Sequence, residues 1–211
     1  DVSYTAGATL TFRLTVSDGT LSGSTDKIVN ILWTNDPPVA RVNCPAIINV
    51  NEGGAVSISG SASSDSDGTI TYSWSQYAGL PNLGIGSVTT PVLAFTAPQL
   101  GYQQLGGVTL RLTVTDNNGA ASTADCSVFI HDVTAPVLSL PIDFTREATS
   151  SAGAPVTFSA TAQDAVDDAS PYNANCAPAS GSTFGLATAP TKANTTAVNC
   201  SATDSAGNTA N

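Results

Sequence analysis

The chain has 211 residues and carries sixteen acidic against six basic side chains, a formal charge of −10 at neutral pH. That field repels phosphate backbones and favours cations, which argues against nucleic acid and anionic membrane surfaces as partners. Only 10% of the residues are charged, so the polar surface is built of Ser, Thr, Asn and Gly, as in many secreted β-proteins. No apolar run approaches the ~18 residues that a membrane span needs, so membrane insertion is not expected.

In chain order, the first predicted elements are strands over 10–17 and 27–33. Phe12, Leu14 and Val16 alternate with Thr11, Arg13 and Thr15, the period of a half-buried strand. Phe12, Leu14, Val16, Ile28 and Leu32 form apolar faces that need a sandwich to enter. The same phrase returns in "TLRLTVTDNNG", which aligns Thr11 with Thr109, Arg13 with Arg111, Leu14 with Leu112 and Asp18 with Asp116. The register continues without a gap to Pro38/Pro136 and Val39/Val137, which marks a tandem repeat. A weaker third copy, "NCSATDSAG", places Cys200 where Leu112 stands and Asp204 where Asp116 stands.

Turn phrases "EGG", "DSDG", "DNNG" and "SAGN" separate short apolar runs, and no amphipathic helix is predicted. A repeat of roughly ninety residues made of short strands predicts an all-β protein: tandem immunoglobulin-like sandwiches in a linear array. The joints are "TNDPPVA" and "DVTAPVL", where proline keeps the chain extended. They divide the chain into 1–35, the closing strands of a partial module; 36–132, a complete module; and 133–211, a module lacking its last strand, which is expected to begin at 211. Both ends, and the absence of methionine, read as a piece of a longer or processed array.

Trp74, with Tyr72 beside it, falls on a central strand where such sandwiches keep a core aromatic. Four cysteines without Cys-x-x-Cys spacing predict two disulfides rather than free or metal-bound thiols. Pairing within modules gives Cys44 with Cys126 and Cys176 with Cys200. His131 is the only histidine, so a Ser-His-Asp triad or a multi-histidine site would have to be built on it. It is read instead as a boundary residue packing against the next module. Catalysis is not expected. Asn194-Thr-Thr is a glycosylation sequon.

Acidic turns are the one constellation with chemistry. Asn35, Asp36, Asp65, Asp67 and Asp116 are expected at one pole of the complete module, with Asp132, Asp164 and Asp204 in equivalent places of the last and Asp167 and Asp168 nearby. Oxygen donors without nitrogen or sulfur select Ca²⁺. The bland reading is that short acidic turns cap their own backbone.

"SASSDSDGTITYSWSQYAG", "PVLAFTAPQLG" and "VTLRLTVTDNNGAAS" resemble PKD-like (polycystic kidney disease) domains of large bacterial surface proteins. Residues 133–211, with "TAPVLSLPIDFTREATSSAGAPVTFSATAQD", "SGSTF" and "VNCSATDSAGN", resemble a HYR (hyalin repeat) domain. The resemblance implies a non-enzymatic, extracellular or cell-surface adhesive or spacer segment, with calcium at the matching positions of the PKD-like module. The expected function is a structural or adhesive rod or filament segment. Its partners would be neighbouring copies of the chain, further modules of the array, or a surface protein or polysaccharide. The alternative is a noncatalytic, substrate-binding accessory segment of a secreted hydrolase.

Overall fold

The computed structural model describes residues 8–168, 170–186 and 195–211, and they are all-β. The sequon at Asn194 lies outside the described residues. No described helix is long and apolar enough to cross a membrane.

The central module has two sheets. One contains β3 (Ile48–Asn51), β5 (Ile70–Gly79), β7 (Gly107–Asp116) and β8 (Ala121–His131) in the order β3-β8-β7-β5, and the other pairs β4 (Ala55–Ser59) with β6 (Val92–Thr96). β3 runs parallel to β8, while the β7 pairings are antiparallel. Alternation does the packing: Val108, Leu110, Leu112 and Val114 of β7 are buried, and the residues between them are not. They meet Val56 and Ile58 of β4, Leu93 of β6 and Trp74 of β5 in one core. Each fully buried aliphatic side chain there contributes about 1.5–3 kcal/mol. The Trp74 indole N–H donates to the Thr90 carbonyl, 3.2 Å away, so its one polar group is satisfied. Cys44, in the segment before β3, is bonded to Cys126 of β8 as expected.

The first hairpin, β1 (Ala8–Ser17) with β2 (Ser22–Ile31), repeats β7–β8. Both carry a bidentate arginine–aspartate pair on the polar face, Arg13–Asp26 and Arg111–Asp125. Arg111 also lies over the Tyr77 ring. Exposed pairs of this kind contribute about 0–1 kcal/mol. The apolar face differs from the expected one. Antiparallel pairing sets Leu10 opposite Val29 and Thr11 opposite Ile28, so Ile28 lies on the polar face with Arg13. Leu32 falls beyond β2. The apolar face is therefore Leu10, Phe12, Leu14, Val16, Val29 and Ile31, because directly opposed residues share a face. Phe12, Leu14 and Val16 are exposed, whereas their counterparts Leu110, Leu112 and Val114 are buried.

After the second joint come three small sheets. They are β12-β11-β9 from β9 (Val137–Ser139), β11 (Thr161–Gln163) and β12 (Tyr172–Asn173); β13-β15-β16 from β13 (Asn175–Ala177), β15 (Asn199–Thr203) and β16 (Thr209–Ala210); and the pair β10 (Ala154–Pro155) with β14 (Thr183–Phe184). The last strand begins two residues earlier than expected. Cys176 and Cys200 are directly opposed on β13 and β15 and bonded. Among the described residues, the buried apolar side chains of this module are Ala154, Ala160, Ala162, Cys200 and Ala202. Such small groups bury little area, which leaves the disulfide and polar interactions a larger share of its stability.

Candidate metal centre

The repeated aspartate at the strand end has the same local role in all three copies. Asp18 Oδ1 accepts the N–H groups of Thr20 and Leu21, Asp116 Oδ1 those of Asn118 and Ala120, and Asp204 Oδ1 that of Asn208. These bonds hold the Asp18 carboxyl down to about 2, the Leu21 N–H having the largest effect. Capping its own turn explains why Asp recurs there. What gathers around that carboxyl then separates one joint from the other.

At the first joint it meets an amide. Asn35 Nδ2 donates to Asp116 Oδ2 at 2.8 Å, and Asn118 Nδ2 donates to Asn35 Oδ1 at 2.7 Å. Asn35 is the largest cause of the lowered Asp116 pKa, with the turn N–H groups adding to it against desolvation. Asp36 N donates to Asp67 Oδ2, Ser66 Oγ to Asp36 Oδ2 and Asp67 N to Asp65 Oδ1. Gly68 leaves room here for Asn117 Oδ1, which accepts the Thr69 N–H; a Cβ would displace that side chain. The structure thus gathers Asn35, Asp36, Asp65, Asp67 and Asp116 at one end, joined by their own hydrogen bonds. Asp65 Oδ2 and Asp67 Oδ1 keep no partner, although both residues are only half-buried.

At the second joint Asp204 Oδ2 also accepts from an amide, Asn208 Nδ2 at 2.9 Å, but two further carboxylates stand beside it. One oxygen each of Asp132, Asp164 and Asp204 lies within 4.8 Å of the others, a cluster able to hold a metal ion. Asp164, at the end of β11, is 1% exposed. Its Oδ1 accepts the N–H groups of Val166 and Asp167, and its Oδ2 is buried with no partner. Asp132 repeats the pattern: Oδ1 accepts the Thr134 N–H, and Oδ2 is buried and unpartnered. A buried carboxylate oxygen left without a donor costs about 1–3 kcal/mol or more, so these atoms suit a cation or a donor from outside the chain. Burial is the main cause of the raised Asp132 pKa; the Thr134 N–H opposes it, and the charges of Asp164, Glu52 and Asp204 reinforce it. The ion pairs among the described residues, Arg13–Asp26 and Arg111–Asp125, do not involve this cluster.

Two contributors were not legible in the sequence. Glu52, in the "EGG" turn and 8% exposed, accepts the Leu100 N–H with Oε1 and the Thr134 hydroxyl with Oε2 at 2.7 Å. It clamps the residues that follow Asp132 to the central module. Tyr172 presents a buried, unpartnered hydroxyl. Burial raises its pKa, and the negative charges of Asp168, Asp164, Asp204 and Asp167 add to the shift. The His131 ring lies edge-on to Phe129 and its Nε2 is 3.1 Å from Asn49 Oδ1, both within the central module.

The family model described as "K319L-like, PKD domain" matches residues 46–130. Residues 46–130 are a PKD domain. Glu52 therefore belongs to the PKD domain, while Asp132 lies just past its end. The mouse "Dyslexia-associated protein KIAA0319-like protein" is 32% identical over 124 residues, covering 57% of this chain and 11% of that protein. "Chitinase A" of Pseudoalteromonas piscicida is 34% identical over 96 residues, covering 46% of this chain and 11% of that protein. The chain thus spans about a tenth of the length of these curated relatives. A solution structure of the PKD domain from KIAA 1837 protein aligns at 21% identity and a TM-score of 0.36, over 47% of this chain and 93% of that one.

Proposed function

We propose that this chain is a non-catalytic structural or adhesive segment of an extracellular or cell-surface protein, a PKD domain continued through a proline joint into a HYR-like module. The observation that carries this reading is that the module on each side of the joint is closed by its own disulfide, Cys44–Cys126 and Cys176–Cys200. Disulfides persist in oxidising compartments, and a cross-linked sandwich resists extension. Residues 8–31 have the register of a closing hairpin, and we assign their exposed apolar face to packing within a further module of the array.

For the three-aspartate cluster the proposed ion is Ca²⁺. Its donors are all oxygen, the hard ligands that Ca²⁺ takes in flexible geometry. The similarity to chitinase A favours a second reading, an accessory segment that binds polysaccharide.

Pulling the chain from its ends separates the two. The structural reading predicts a resolved force peak for the PKD domain. Reduction of Cys44–Cys126, a sequence separation of 82, would then release about 280 Å of extra length at ~3.4 Å per residue. Unfolding without a measurable peak, together with saturable co-sedimentation on chitin, would favour the accessory reading.

A further inference from the structure

We infer that the cation held by Asp132, Asp164 and Asp204 locks the PKD domain to the module that follows it, through the loop 164–168. The inference rests on the metal reading above and adds to it a mechanical role.

Asp164 is the root of that loop. Its Oδ1 accepts the Val166 N–H at 2.7 Å and the Asp167 N–H at 3.1 Å, and its own N–H donates to Asp168 Oδ2 at 2.9 Å. Asp167 in turn accepts the N–H and hydroxyl of Ser205, beside Asp204. The loop also makes the contact between modules. Val166 packs against the apolar core of the PKD domain, and its carbonyl accepts the Gln103 N–H at 3.0 Å.

From the other side, Glu52 of the PKD domain holds Thr134 and, at 3.4 Å, the Val133 N–H. Asn208 Nδ2 bonds Asp204 Oδ2 and approaches the Asp132 carbonyl at 3.4 Å. One ion at Asp164 Oδ2, 99% buried and unpartnered, would therefore tie together the strap, the docking loop and the last turn. Without it, three carboxylates repel one another across the contact that Val166 makes. At the first joint the Asn35 amide already bonds Asp116, so no ion is needed to hold that pair together.

Binding and docking are then linked, and each must strengthen the other by the same factor. The test uses the whole chain, with spin labels on unnatural amino acids at the exposed Ser57 and Ser151, and calorimetric Ca²⁺ titration beside it. With Ca²⁺ the label distance should be a single narrow distribution, and EGTA should broaden it. Asp164→Asn should lose Ca²⁺ binding and stay broad in both conditions. Val166→Ser keeps every carboxylate, yet should broaden the distribution in Ca²⁺ and weaken Ca²⁺ affinity about tenfold. If Ca²⁺ binds but EGTA leaves the distance unchanged, or if Val166→Ser leaves the affinity unchanged, the lock is wrong and the site stands. Absence of Ca²⁺ binding at millimolar concentration would remove the site itself.

Discussion

Trp74→Ala is expected to cost the PKD domain about 3–5 kcal/mol. The side chain is 2% exposed, sits opposite Leu112 across β5 and β7, and closes so tightly on Gly60 that a Cβ there would meet its Cζ2 at 3.3 Å. Truncation would remove a large apolar group, leave a cavity that rigid strands cannot close, and free the Thr90 carbonyl that the indole now satisfies. Total stabilities run to about 5–15 kcal/mol, so the variant would be marginal at physiological temperature. Urea unfolding followed by circular dichroism measures the loss. A cost below about 1 kcal/mol, the range of a surface substitution, would show that Trp74 is not the core residue its burial implies.

Opening the Cys44–Cys126 bridge should have an effect of similar size by a different route. The cross-link joins residues 82 apart, and on the chain-entropy estimate its loss returns about 4.5 kcal/mol of freedom to the unfolded chain. Replacing both cysteines with alanine should lower the melting temperature of the PKD domain by roughly 18–36 °C, at about 4–8 °C per kcal/mol. The 24-residue Cys176–Cys200 closure is smaller, about 3.5 kcal/mol. It belongs, however, to a module whose buried apolar side chains, among the described residues, are alanines and a cysteine, and there it is a larger fraction of what holds the chain folded. Melting of the Cys44→Ala, Cys126→Ala protein within a few degrees of the parent would mean that the bridge stabilises little.

Much of the PKD domain was legible because its signals are local. Period-two alternation in residues 107–116 set the buried face, the turn aspartates set where strands end, and cysteine spacing within modules set the pairing. The first hairpin was misread at Ile28 because face assignment in β2 depends on register across the turn. The single-residue difference between "SDGTL" and "TDNNGA" shifts Arg13 to Asp26 but Arg111 to Asp125.

The acidic turns stand out in sequence as a class, but sequence does not distinguish the two joints. At the second joint Asp132, Asp164 and Asp204 come together, whereas at the first the Asn35 amide lies between Asp116 and Asn118. Glu52 was invisible because its partners, Leu100 and Thr134, are 48 and 82 residues away, and no pattern joins a turn glutamate to a distant strap.

Differential scanning calorimetry of the intact chain, in saturating Ca²⁺ and again in EGTA, tests the cation-held joint most directly. An ion that binds only the folded state at a hundred times its dissociation constant adds about 2.7 kcal/mol. The transition of residues 133–211 should therefore rise by roughly 10–20 °C in Ca²⁺, and Asp164→Asn should abolish the rise while leaving the PKD transition in place. Superimposable thermograms in Ca²⁺ and EGTA would contradict the account.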